Sequence, residues 1–272
     1  MKKIKLLLTS TIALMMLAAC VTATRVPITG RKQRLSVTDE QMLSLSATQY
    51  KEYLGSAKKS TNATNTAMVQ RVGQRLAKAV ESYLTNNGYA NEVKNYAWEF
   101  NLVQNKAANA FCMPGGKIVV YEGMLPITQD EPSLAIVLGH EIAHAVAKHS
   151  AEQMSKQKNQ GILASLGISI LAAKAGEEAA NMATSLASTG LTFLNAHYSR
   201  DNESEADHMG LIFAAMAGYD PNTAITFWQR MSQTSSGSQG LLESYLSSHP
   251  SDTKRVKDIQ KWLPEAMQYY KK

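Results

Sequence analysis

"LGHEIAHAVAKHS", residues 138–150, carries three of the chain's six histidines. Residues four apart on a helix lie on one face, one turn from each other. His140 and His144 therefore point the same way and can share one ion. Glu141, beside the first of them, can reach a water on that ion. This is the HExxH zinc arrangement. Leu134 to Leu138, just before it, are apolar. The helix is therefore a buried one, and buried imidazoles need partners.

His149 does not extend the set. On a continuing helix it lies about 500° past His144, roughly 140° off that face. With Lys148 it reads as a solvated basic edge. The helix opens at Asp130-Glu131-Pro132, whose acids and proline suit a first turn, and is expected to run to about Lys158. A third ligand must come from elsewhere. In "SRDNESEADHMG", residues 199–210, Glu203 and Asp207 form a second i, i+4 pair. A carboxylate from Glu203 completes a two-histidine, one-glutamate site with an open water position. Asp207 can accept a hydrogen bond from the free ring N–H of a ligating histidine. Glu205 lies about 200° round the helix from Glu203 and cannot serve with Asp207.

The surrounding pattern is α+β. Thr38 to Leu54 is helical, and Val69, Val72, Leu76 and Val80 mark an amphipathic helix over 68–83 that ends at Asn86-Asn87-Gly88. The period then changes. "YAWEFNLV" (96–103), "NAFCM" (109–113) and "KIVVYEG" (117–123) read as strands, with Pro114-Gly115-Gly116 as the turn between the last two. Helices follow over 198–217, stopping at Gly218, and around 221–233 and 252–268. Residues 161–195, rich in Ala, Gly, Ser and Leu, read as packed helices or a helical flap, with contact to a lipid surface as the lesser alternative.

Composition places limits on function. The chain has 272 residues, 44% hydrophobic and 18% charged, as expected for a globular protein. No basic stripe with interleaved aromatics accounts for the net charge of +6, so nucleic acid is not an expected partner. Three of the basic residues, Lys2, Lys3 and Lys5, precede an apolar run from Ile12 to Ala19, the layout of a secretory signal. The run is shorter than the roughly 20 residues of a membrane span. It ends "MLAAC", which resembles the lipobox of bacterial lipoproteins. By that resemblance residues 1–19 are removed and Cys20 is acylated; otherwise the chain is cut near Ala19 and Cys20 stays a thiol. Residues 20–37 read as a tether without a packed element, and 38–272 as one catalytic domain. Cys112, between Phe111 and Met113, reads as a buried, inert thiol.

HEIAH followed by ESEAD resembles the HExxH…ExxxD zinc metalloproteases of the CAAX prenyl endopeptidase, HtpX and BepA/LoiP group. "NAFCMPGGKIVVYEGML", "YSRDNESEAD", "SSHPSDTKRV" and "VPITGRKQRLSV" resemble further segments of that group, the last of them in its periplasmic lipoproteins. Cys112 stands where the group tends to have a small residue such as alanine. The resemblance implies a mostly helical, zincin-like domain whose small sheet places an edge strand by the active site. It implies one zinc ion on His140, His144 and Glu203, with Glu141 as base. It also places His249 and Arg255 in the cleft, where by composition alone His249 is only a loop histidine before a proline. In BepA-like relatives the matching histidine can occupy the open zinc position and hold the enzyme latent.

The expected activity is therefore a zinc endopeptidase. Arg255 or His249 stabilises the oxyanion, and substrate backbone adds a strand along Asn109, Ala110, Phe111 and Cys112. The expected substrates are unfolded or misassembled envelope proteins, met by a lipid-anchored protein facing the periplasm, most simply from the outer membrane. The rival expectation is an outer-membrane assembly factor with latent peptidase activity.

Overall fold

The computed structural model describes residues 22–157, 193, 198–237, 242–249 and 254–271. They divide into two compact units. One holds the described residues up to Val26, Gly30–Thr38 and 151–157; the other holds Pro27–Thr29, Asp39–Ser150 and the described residues from 193 onward.

In the first unit, β1 (Thr22–Arg25) and β2 (Lys32–Leu35) pair antiparallel, with Thr22 opposite Leu35 and Arg25 opposite Lys32. This corrects the reading of that stretch as lacking a packed element. Pro27 and Gly30 are the turn between two strands, and Gly30 adopts φ +65. Gln33 and Leu35 alternate as the buried positions of β2.

The second unit is mostly helical. α1 spans Asp39–Ser56, α2 Ala63–Asn86 and α3 Ala90–Val93. Asn62 caps α2 by accepting from the Asn65 amide at 2.9 Å. The face of α2 bearing Val69, Val72, Leu76, Val80 and Leu84 is fully buried. β3 (Glu99–Val103), β4 (Ala110–Met113) and β5 (Lys117–Tyr121) form a sheet in the order β3-β5-β4. β5 is parallel to β3 and antiparallel to β4, so Leu102 and Ala110 both face Val120. Gly115 and Gly116 turn the β4–β5 hairpin at φ +85 and +80, which a side chain would disfavour. Among the described residues β4 is therefore an edge strand.

A short helix, α4 (Leu125–Thr128), leads into α5 (Glu131–Val146). Asp130 caps α5 by accepting from the Ser133 amide at 2.8 Å, with Pro132 in its first turn. α5 packs against α2 and β4, and against two helices that follow: α7 (Arg200–Met216) and α8 (Thr223–Gly237). α5 does not run on to Lys158. It stops at Val146, Lys148 takes the left-handed conformation at φ +54, and a new helix, α6, occupies 149–157, its residues from Ala151 on belonging to the first unit. α9 (Glu243–Ser248) and α10 (Arg255–Tyr269) complete the unit, with α10 against α7.

Two glycines set how closely α5 and α7 approach. A Cβ on Gly139 would lie 2.7 Å from the Gly210 carbonyl oxygen, and one on Gly210 would lie 2.6 Å from the His140 amide nitrogen. The helix carrying HEIAH and the helix carrying ESEAD thus meet backbone to backbone. The architecture is α+β, as expected, with the edge strand β4 packed on the HEIAH helix. Residues 1–21, with the signal and Cys20, lie outside the described residues, as do 161–195 apart from Phe193. No helix among the described residues is long and apolar enough to cross a membrane.

Candidate metal centre

α5 presents His140 and His144 one turn apart, as the spacing requires. α7 presents Glu203 and Asp207 one turn apart opposite them. Ser199 fixes where α7 starts, through a reciprocal cap with Asn202. His249 closes the group from the C-terminal end of α9. One ligand atom from each of His140, His144, Glu203 and His249 lies within 4.8 Å of the others, and all four residues are buried.

The spacings test whether an ion fits. His140 Nε2 is 3.1 Å from His144 Nε2 and 3.2 Å from His249 Nδ1. Glu203 Oε2 is 3.4 Å from His140 Nε2, and its Oε1 is 3.3 Å from His144 Nε2 and 3.1 Å from His249 Nδ1. A tetrahedron of zinc bonds of 2.0–2.1 Å has edges of about 3.3–3.4 Å. Three imidazole nitrogens aimed at one point also need positive charge between them. The donor types and their spacing are those of a zinc site for one ion.

The carboxylates draw positive charge to the group. Burial works to lower the pKa of His140, but Asp207 and Glu203 outweigh it and push the value up to about 9. Burial holds His144 well below the usual histidine range. Burial also works against charge on Glu203, yet His249, His140 and His144 keep it ionised, well below the usual carboxylate range.

The rest of the site orients these groups. Asp207 Oδ1 lies 2.9 Å from His140 Nδ1. Arg255 clamps Asp207 with two hydrogen bonds, Nε to Oδ2 at 2.5 Å and Nη2 to Oδ1 at 2.8 Å. Its Nη2 also reaches Glu203 Oε2 at 3.3 Å, and its guanidinium lies 3.6 Å over the Trp228 ring. Glu141 Oε1 is buried with no hydrogen-bond partner among the described residues, 3.5 Å from His249 Nε2. Burial raises the pKa of Glu141.

His149 is where the sequence reading fails. It is no solvated edge but fully buried, 0% exposed. The break at Lys148 turns it back so that its Nδ1 is 2.8 Å from His144 Nδ1. It remains outside the four-residue group, and Glu205, also outside it, lies 3.0 Å from His149 Nε2. Lys148 is not solvated either: it is 2.8 Å from Asp39 and 2.7 Å from Glu92. Asn109, just before β4, and Ala110, Phe111 and Cys112 on it are all buried, and Asn109 donates to the Ser244 hydroxyl at 3.1 Å. Burial raises the Cys112 thiol well above its usual range, as expected of an inert thiol. Sequence reasoning missed Tyr198, stacked on His144 at 4.0 Å between ring centroids, and the glycine pair 139/210. The glycines had a visible signal, since each interrupts a helical pattern. Tyr198 had none beyond its place before the second motif.

Residues 63–263 match the family model described as peptidase family M48. The mitochondrial metalloendopeptidase OMA1 of Schizosaccharomyces pombe is 39% identical over 62% of the chain and 48% of its own length. The Homo sapiens metalloendopeptidase OMA1, mitochondrial, is 30% identical over 89% and 46%. The beta-barrel assembly-enhancing protease of Escherichia coli is 29% identical over 76% and 40%. The chain thus spans about half, or less, of the length of these curated relatives. The matched region contains both motifs and every residue of the metal group, and the chain belongs to peptidase family M48.

Proposed function

We propose that the chain is a zinc-dependent endopeptidase in which His140, His144 and Glu203 hold the metal and Glu141 is the general base. The supporting observation is the convergence of buried donor atoms at zinc-tetrahedron spacings beside a Glu141 oxygen that has no hydrogen-bond partner among the described residues. A zinc ion held there by these residues would lower the pKa of a bound water towards about 7 and polarise the scissile carbonyl. Glu141 accepts a proton from water and delivers it to the leaving amine, and its burial brings its basicity towards the working range. Arg255 has Nε and Nη2 committed to Asp207 and Glu203, so it positions them, and His249 is the donor assigned to the oxyanion. Substrate backbone pairs along Asn109 and the β4 residues Ala110 to Cys112, a mode that reads extended chain more than side chains. Such a site suits unfolded or misassembled protein segments. Acylation at Cys20, read from "MLAAC", anchors the chain at the periplasmic face of a bacterial envelope, most simply at the outer membrane; Cys20→Ser should then move it to the soluble fraction.

Cleavage of casein by the purified, zinc-loaded chain tests the assignment. Wild type should cleave, and Glu141→Gln should bind zinc yet lose activity by about two to four orders of magnitude. Equal cleavage by both proteins would remove Glu141 from its role.

One observation favours a second reading. His249 already stands at the fourth corner of the metal group. A latent peptidase with a role in outer-membrane protein assembly would hold His249 there at rest, and one relative is named for enhancing beta-barrel assembly. His249→Ala should then raise casein cleavage, and Glu141→Gln should still complement a deletion. Lower activity in His249→Ala would leave the histidine as a catalytic donor only.

A further inference from the structure

The two histidines of the HEIAH motif differ in how their outer nitrogens are held. His140 Nδ1 meets a carboxylate directly, Asp207 Oδ1 at 2.9 Å. His144 Nδ1 meets a second imidazole instead, His149 Nδ1 at 2.8 Å. His149 Nε2 lies 3.0 Å from Glu205 Oε2, and Glu205 Oε1 accepts from the Thr29 hydroxyl at 2.5 Å. His149 is fully buried and Glu205 is 8% exposed.

Proton bookkeeping gives this chain one direction. His144 Nε2 faces His140 Nε2 and Glu203, so as a ligand it carries no proton there. Its proton sits on Nδ1 and is donated to His149 Nδ1, which must accept. The proton of His149 is then on Nε2, where Glu205 accepts it. Both rings are confined to one tautomer, with every N–H pointing away from the metal group.

The backbone is arranged to make this contact. A continuous helix would carry His149 off the His144 face. The left-handed turn at Lys148, a residue without glycine's freedom, brings it back, and ion pairs to Asp39 and Glu92 hold that turn. Tyr198 stacks on the His144 ring, so packing and hydrogen bonding fix the same ring together.

We infer that His149 and Glu205 are positioning residues, a two-link relay that holds His144 in its metal-binding tautomer and orientation. His140 receives the same service from one carboxylate. The inference rests on the zinc reading proposed above and extends it to residues outside the metal group.

The test measures zinc affinity by chelator competition and the visible absorption of the cobalt(II)-substituted full chain, with metal-free thermal stability alongside. His149→Phe keeps the bulk and removes the acceptor. It should weaken zinc binding by about tenfold to a hundredfold and shift the cobalt bands. His149→Asn, whose amide oxygen can accept from His144, should recover much of that loss. Glu205→Gln should weaken binding in the same direction by about threefold or more. Zinc affinity in His149→Phe within about twofold of wild type, with an unchanged cobalt spectrum, overturns the relay. So does a loss that tracks metal-free stability and is not rescued by asparagine. Should His149→Phe fail to fold, Glu205→Gln decides alone: weaker binding supports the relay, and unchanged affinity overturns it. A wild-type chain that binds no zinc overturns the metal reading as well, and is thereby distinguished from failure of the relay alone.

Discussion

Asp207 accepts from Arg255 on one side and lies against His140 Nδ1 on the other, so one carboxylate ties α10 to the metal group. Asp207→Asn keeps the shape but loses the charge that Arg255 and His140 share. Zinc affinity should fall by about tenfold to a hundredfold, measured by chelator competition. The cost is steep because the Arg255 guanidinium, 6% exposed, would remain buried with its best partner weakened. At this scale much was legible. His140, His144, Glu203 and Asp207 followed from i, i+4 spacing on two helices, because helical periodicity is local. His249 and Arg255 followed only from resemblance, since nothing near them in the chain records what they face. His149 was misread for a physical reason. Its position depends on a left-handed lysine, and the groups that hold that lysine, Asp39 and Glu92, lie far away in the chain.

Helices and strands were legible where a period persisted. The three strands, the Gly115-Gly116 turn and the α2 face were all readable. The β1–β2 hairpin was not, because proline, glycine and basic residues serve a hairpin turn and a tether equally well. The boundary of α5 was also missed: Ala147 and Lys148 are good helix formers, and tertiary ion pairs override that preference. The contact between α5 and α7 carries the element-scale prediction. Gly210→Ala places a methyl group 2.6 Å from a backbone nitrogen that cannot rotate away. The variant should lose about 3 kcal/mol, the upper end for overpacking, in chemical denaturation. Its zinc affinity should fall too, since relief of the clash requires α7 to move with Glu203 on it. A stable variant with normal zinc binding would show that the two helices are free to part.

For the whole molecule, metal and fold should be coupled. The donors come from α5, α7 and the end of α9, which only the folded second unit brings together. Zinc at a thousand times its Kd should therefore stabilise the chain by about 4 kcal/mol. Chelation should lower the melting temperature measurably, and readdition of zinc should restore it. No change on chelation would mean that the donors hold no ion in the native protein. The contact of Gly139 and Gly210 has a consequence for the choice of ion. Where side chains separate two helices, a rotamer change can widen the gap by fractions of an ångström. Here main-chain atoms already touch, so the gap has a floor that no rotamer change can lower. A smaller ion must then be met by movement of the ligand side chains alone. The centre should therefore show a size limit on one side, accepting cobalt as readily as zinc and binding a smaller ion less well than its ligand preference alone would suggest.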